Sequence, residues 1–428
     1  MIHANKPQVR PESCFAPGRD KGVTHARPAG VRPVVDPLPP ERIENRRHRP
    51  NAMPEQEPLM RLIRPYIAFA DVEADIRAVF DSGMFTRGAN VAAFAGDLAR
   101  YTGAGHAFPT TSATTALSLT LAVLKIGPGD EVAVSDYSFP ATANVVETAG
   151  ARPVFCDVDP DTWNMDPDCL VKRLGPKTRA VIFVDGLGNP TGLHRVRDLC
   201  RERGLPLIED AACALGSAEQ GERCGRVADL TCFSFHPRKL LTTGEGGAVT
   251  TDDPALAERL GLLLNHGGET VDGRPDFTAP GFNYRMSEIQ ALMGRAQLPR
   301  LDAIIGRRRA LLDRCAEAFA PLGLRAQAVG PDVVHNVQSM AFAVPQGMDR
   351  DGLIRHLAGR GVESTIGTYC LSGTKFYREK YRDVQPNAER LQATTITLPC
   401  HDEVDADRLI AAVTSFAGRG RGTKEERS

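Results

Sequence analysis

The chain has 428 residues, a formal net charge of −1 and 25% charged residues. That length accommodates two domains, and the near-neutral balance gives no general pull toward nucleic acid or an anionic membrane. No apolar run is long enough to span a bilayer, so the expected partners are small molecules, with neither nucleic acid nor membrane among them.

Residues 1–58 differ in kind from the rest of the chain. Pro37, Pro39, Pro40, Arg42, Arg46, Arg47 and Arg49 recur without apolar periodicity, a composition that cannot bury enough surface to offset its ordering entropy. The stretch lacks the apolar core of a secretion signal. Glu12, Asp20, Asp36, Glu41 and Glu44 make it less acid-poor than transit peptides usually are. The expectation is a disordered extension, with a basic nucleic-acid arm as the rival reading. A translation start at Met53 or Met60 would also account for it.

From Asp71 the pattern is regular. VEADIRAVFDSG and VAAFAGDLARYTG carry apolar residues at helical spacing and end on glycine. HAFPT reads as a strand that turns at Thr111, Ser112 and Ala113 into a helix from Thr114. Such a helix start offers unpaired N–H groups and a positive dipole end to an anion. Taken alone it fits plain N-capping by Ser112 or Thr114 equally well. Short β-rich runs then alternate with helical ones: EVAVSD, RPVFCDV, RAVIFVDG, LPLIED, LTCFSF and GAVTTD. This predicts an α/β fold with a mostly parallel seven-stranded sheet between helices, whose ligands bind at the strand carboxyl ends. Phe139 and Asp210 both follow such strands. By residue type alone they read as core packing and a helix cap.

The stretch LTCFSFHPRKLLTTGEGGAVTT, residues 230–251, holds Lys239 in a loop between two strands, with Ser234 and His236 before it and a Gly-Glu-Gly-Gly turn after it. A rigid frame around a reaching amine suits covalent attachment of an aldehyde cofactor such as pyridoxal 5'-phosphate (PLP). That chemistry needs a carboxylate for the pyridine nitrogen, for which Asp210 is placed, and a flat face for the ring, for which Phe139 is placed.

Beyond Gly323, SMAFAV and ATTITLP alternate with the helical DRDGLIRHLAGRGV, predicting a smaller α/β C-terminal domain. The expected division is a large domain over residues 59–310, a small domain over 311–418 and a frayed tail over 419–428. His335 and His401 are candidate substrate contacts, though isolated histidines are more often structural. Ten scattered cysteines without a Cys-x-x-Cys pair read as reduced thiols of a cytoplasmic protein. No His/Cys/Asp cluster has metal-ligand spacing.

The segments SATTALSLTLAVLKIGPGDEV, DYSFPATANVVETAGARPVFCDVD, LIEDAACALGS, SFHPRKLLTTGEGGAV and GFNYRMSEIQALMGRAQLPRLD together resemble the DegT/DnrJ/EryC1/StrS family. These are fold type I PLP-dependent aminotransferases, mostly acting on nucleotide-linked keto sugars. The resemblance runs from about Pro65 to Phe416. It implies that Lys239 forms the Schiff base and that Asp210 faces the pyridinium. It implies that Ala113, Thr114 and Ser234 bind phosphate and that Phe139 lies over the ring. Asn283 would reach the phosphate from the neighbouring subunit of a homodimer. Two positions depart from the family pattern: Ala113 stands where glycine is common, and Cys213 where Gln or His is common near the cofactor's phenolic oxygen. Branches that lose the lysine are dehydratases using histidine; with Lys239 present, the resemblance implies a transaminase, with glutamate as donor and a nucleotide-linked keto sugar as acceptor. Two other readings are amination of a cyclic ketone such as an inosose, and a PLP-binding regulator without turnover.

Overall fold

The β-rich runs meet in one sheet, seen here in a computed structural model that describes residues 58–425. Apart from Pro58, the expected N-terminal extension lies outside the described residues, as do residues 426–428 of the expected tail. Helical backbone continues to Glu425, into the stretch expected to fray.

The sheet runs in the order His106–Thr110, Gly247–Thr251, Leu230–Ser234, Leu207–Asp210, Thr178–Val184, Glu131–Ser135, Arg152–Cys156. The Leu230–Ser234 to Arg152–Cys156 strands pair parallel; helices join them in chain order except between Asp210 and Leu230, where the chain crosses over through turns and the short strands Ala218–Glu219 and Glu222–Arg223. Only Gly247–Thr251 runs against its neighbours. The connection from Ser234 to Gly247 holds the Lys239 loop, and the chain returns beside the strand it has just left, antiparallel to it. All the parallel strands therefore end at one edge, and Gly247 begins there.

Side chains alternate across the sheet as its pleat requires. Val132, Val134, Ile182, Ile208, Cys232 and Val249 enter one buried core. Ala133, Val181, Phe183 and Leu207 enter a second on the opposite face, and Phe233 and Ala248 a third. The Ala113–Val123 helix packs on the first face and buries Ala116, Leu117, Leu119, Leu121 and Val123, apolar nearly all round because helices also cover its outer side. Truncating a leucine such as Leu119, which is fully buried, is worth about 2–5 kcal/mol in such a core.

A second, antiparallel sheet is ordered Arg325–Ala326, Met340–Ala343, Thr395–Leu398, Thr365–Ile366. Its core gathers Met340, Phe342, Ile396 and Leu398 with Leu353, Leu357, Leu409 and Val413 from two helices. The long helical stretch near residue 300 is broken at Leu298–Arg300 by a short 3-10 turn carrying Pro299. The following helix, Leu301–Phe319, sends Leu301, Ile304 and Ile305 into one core and Cys315 and Phe319 into the other. It thus passes through the expected boundary at residue 310. A hairpin, Gly268–Val271 with Arg274–Phe277, turns on Asp272 and Gly273 at φ 50° and 76°, the left-handed pair that an Asp-Gly turn supplies. Among the described residues no helix is long and apolar enough to cross a membrane, and the described cysteines are free thiols.

Candidate active site

The edge where the parallel strands end opens into a cleft of about 520 Å³. Ser112, Ala113, Thr114, Phe139, Asp210, Cys213, Ser234 and Lys239 all line it. Asn283 does not; it is exposed and bridges to Asn265. His335 and His401 are also outside it. His335 Nε2 lies 3.4 Å from the Leu187 carbonyl, and burial pushes its pKa down to about 4. His401 Nε2 contacts the Arg61 carbonyl at 2.9 Å. Both serve the fold, correcting their candidacy as substrate contacts.

At the helix start the cap is present, and the first N–H groups are left without a partner among the described residues. Ser112 is the N-cap: its Oγ accepts the Thr115 N–H at 3.1 Å. Among the described residues no hydrogen bond is made to the N–H groups of Ala113 and Thr114, which open onto the cleft. Gly247 makes this geometry possible. A Cβ there would stand 2.5 Å from the Ser112 carbonyl carbon and 2.6 Å from the Ala113 nitrogen, so only glycine lets the strand pass this close under the helix.

Asp210 ends its strand and is 5% exposed. Its Oδ2 accepts the Thr142 hydroxyl at 2.8 Å and its Oδ1 the Ala212 N–H at 3.3 Å. Burial raises its pKa, opposed by these two donors and by the Lys239 charge. Thr142 sits in the first turn of the Ala141–Thr148 helix and also touches the Ser138 hydroxyl at 2.8 Å.

The Lys239 loop is fastened on both sides. Phe235 N–H reaches the Gly246 carbonyl at 2.8 Å, and Thr243 N–H the Phe235 carbonyl at 3.0 Å. Gln338 accepts the Leu240 N–H at 3.0 Å and donates to the Arg238 carbonyl at 2.6 Å. Asn336 donates to the Cys213 and Leu215 carbonyls at 2.8 and 3.0 Å. Between them Val337 holds φ at 54°, a strained setting for a β-branched residue. Its carbonyl accepts Arg308 Nε at 2.8 Å. The result is that Lys239 Nζ points at Cys213 Sγ, 3.0 Å away. Sequence reasoning passed over Thr142, Asn336 and Gln338. For Asn336 and Gln338 the available cue was polar residues immediately before the apolar Met340–Ala343 strand; Thr142, inside a helix, carried no such cue.

Phe139 is 65% exposed and meets Tyr369 edge-on at 6.3 Å. Behind this pair lies fully buried Asp136. It accepts the Ser372 N–H at 2.7 Å, the Ser372 hydroxyl at 2.6 Å and the Cys370 thiol at 3.2 Å. Burial nonetheless pushes its pKa up from 3.8 to about 7. The folded value exceeds the unfolded one, so the stability this group contributes is full below about pH 4 and is lost as pH rises through about 7. The limit is ~4 kcal/mol at 1.36 kcal/mol per unit. In urea unfolding, Asp136→Asn should gain on wild type between pH 4 and 7 and hold a constant difference above that.

Beneath Asp210, Asp185, Glu209 and Cys224 bring potential ligand atoms within 4.8 Å of one another. They are distant in sequence, which is why spacing did not reveal them. Glu209 Oε2 accepts the Thr231 hydroxyl at 2.7 Å and the Gly225 N–H at 3.2 Å. Burial, then the charge of Glu209, drives Asp185 well above the carboxylate range, and burial raises Glu209 as well. Of the coupled pair, Asp185 is the one held further above the carboxylate range.

Residues 69–416 match the DegT/DnrJ/EryC1/StrS aminotransferase family. The chain belongs to that family. It is 36% identical over 324 residues to the GDP-perosamine synthase of Caulobacter vibrioides, covering 74% of this chain and 86% of that one. DesI, whose crystal structure was determined in the presence of its TDP-sugar product, superposes with a TM-score of 0.79 at 32% identity, covering 87% of this chain and 96% of that one. The PLP form of Spr1654 from Streptococcus pneumoniae superposes with a TM-score of 0.77 at 29% identity, covering 83% and 98%. The aminotransferase thus has the fold type I architecture of PLP enzymes, and family membership supports PLP as its cofactor.

Proposed function

We propose that this aminotransferase takes an amino group from an amino acid, glutamate, and delivers it to a keto sugar carried on a nucleotide, in deoxyamino-sugar biosynthesis. The observation that carries the reading is convergence: the Lys239 amine, the Asp210 carboxylate and the open N–H groups of Ala113 and Thr114 share one cleft. The names of two relatives, a GDP-perosamine synthase and an enzyme with a TDP-sugar product, support a nucleotide-linked acceptor.

The donor set fits PLP. Lys239 would anchor it covalently through Nζ, and Ala113, Thr114 and Ser234 would hold its phosphate at the helix start. Phe139 would cover a ring face, and Cys213 lies beside the anchoring amine. When bound, PLP supplies a protonated ring that accepts the electron pair left at the reacting carbon. Asp210 keeps that ring protonated, because a cation beside it favours the ionised carboxyl against the cost of burying its charge. Thr142 holds the carboxylate in orientation. The Lys239 amine would carry the proton to and from the reacting carbon on Nζ. Asn283, exposed and outside its own subunit's cleft, would reach the phosphate of a neighbouring subunit, which makes the working unit a homodimer. The free thiols suit a cytoplasmic setting.

The anion seat has its own test. Gly247→Ala should push the Ser112–Ala113 backbone aside and weaken PLP binding roughly tenfold to a hundredfold, the worth of one or two charge-assisted hydrogen bonds. Titration of the apo protein by absorbance reads this; unchanged affinity would detach the phosphate from this helix. The acceptor is tested by incubating holoenzyme and glutamate with GDP-, UDP- and dTDP-linked 3-keto and 4-keto sugars and weighing the products. Amination of an inosose and of none of these sugars would overturn the nucleotide-sugar reading.

A further inference from the structure

Outside the lining of the cleft, at the end of the last strand of the main sheet, two cysteines pack together. Cys156 ends the edge strand and is fully buried. Cys169 lies in the Pro167–Arg173 helix and is half-buried. Both are free thiols; Cys169 packs against the cluster that holds Cys156, close enough for each thiol to shift the other's titration, and the Cys156 thiol lies 3.9 Å from the Val154 carbonyl. The backbone N–H of Asp157 donates to the Cys169 sulfur at 3.2 Å. The Arg173 guanidinium adds positive charge. One sulfur thus accepts a backbone N–H from a half-buried position; the other is a shielded thiol packed beside it.

We infer that Cys169 and Cys156 form an oxidant-responsive dithiol that closes to a disulfide. The Cys156 thiol first, then the Asp157 N–H and Arg173, lower the Cys169 pKa to about 6, while Cys156 is held well above the thiol range. Cys169 is then the thiolate at neutral pH and Cys156 the resolving thiol. The oxidant is a peroxide. The Cys169 sulfur attacks one peroxide oxygen, the O–O bond breaks, and a sulfenic acid forms as hydroxide leaves and is protonated. The Cys156 sulfur attacks the sulfenic sulfur, the S–S bond forms, and the departing hydroxide takes the Cys156 proton as water. Two thiols are oxidised and one hydrogen peroxide is reduced to two waters.

The pair is wired to the cleft wall. The Cys156 carbonyl accepts the Asp136 N–H at 3.0 Å. Asp157 accepts the N–H groups of Asn387 and Ala388 at 3.1 and 3.0 Å, at the start of the Pro386–Thr394 helix. That helix packs on the Tyr369–Cys370 strand, whose Tyr369 faces Phe139. Drawing the two sulfurs into a bond displaces this frame, so oxidation should slow turnover.

The test uses full-length holoenzyme and hydrogen peroxide. Trypsin does not cut between Arg152 and Pro153, so Cys156 and Cys169 share the fragment 126–172, which holds no other cysteine. The expected result is loss of two hydrogens from that fragment, reversed by dithiothreitol, with activity falling and returning on the same time course. Cys169→Ser should keep its activity under the same treatment. In Cys156→Ser, dimedone should trap a sulfenic acid on Cys169. The inference is overturned if the wild-type fragment still takes up two iodoacetamide groups after other thiols have been oxidised. It is equally overturned if Cys169→Ser loses activity as fast as wild type.

Discussion

Lys239→Ala is expected to bind PLP without developing the visible absorbance of wild type and to turn over at least about 10⁴-fold more slowly, the upper range for loss of a proton-transferring group. That corresponds to ~5.5 kcal/mol of barrier. Among the described residues Lys239 is the only lysine lining the cleft, so no neighbouring amine there stands in for it. Its described side-chain hydrogen bond goes only to Cys213, and the loop around it is held by backbone, Gln338 and Thr242 contacts that do not involve Nζ. The variant should therefore fold with a Tm close to wild type, which separates loss of chemistry from loss of structure. Borohydride should fix the cofactor to residue 239 in wild type and to nothing in the variant, by mass. Near-wild-type turnover would remove Lys239 from the mechanism.

Asp210→Asn should lower kcat by about 10²–10³-fold, the scale seen when one preorganised charge-stabilising group is removed. The amide oxygen can still accept the Thr142 hydroxyl, which now reaches Oδ2 at 2.8 Å, so the side chain should hold its place. What is lost is the negative charge that, on the proposed reading, would keep the ring nitrogen protonated. Cofactor affinity and the KM of the donor should change far less than kcat, because the phosphate seat lies on a different element. Steady-state kinetics with glutamate would show this split. A parallel loss of cofactor would instead assign Asp210 to binding.

The main sheet was legible because each of its strands is a short apolar run flanked by turn residues, and a buried parallel sheet needs no finer pattern. The strand-end positions of Asp210, Phe139 and Ser234 could be read the same way, and all three line the cleft. Contacts made by folding alone were not legible. Thr142 and Asp210 are far apart in sequence yet hydrogen-bonded, and Cys213 reaches Lys239 only because Asn336 and Gln338 fasten both segments. Pro299 and the Asp272-Gly273 turn were readable cues for a helix break and a hairpin, hidden inside stretches dominated by helical spacing and by charge. His335 and His401 looked functional only because an isolated histidine carries no sign of whether its ring will be buried.

The carboxyl pair formed by Asp185 and Glu209 has a calorimetric consequence. A chain that raises the pKa of a carboxyl by burying it captures hydrogen ions from the medium as it folds, at pH values between the unfolded and folded pKa, and returns them when it melts. The heat absorbed on thermal unfolding should accordingly depend on the buffer chosen, differing between phosphate and Tris by the enthalpy with which each takes up those ions.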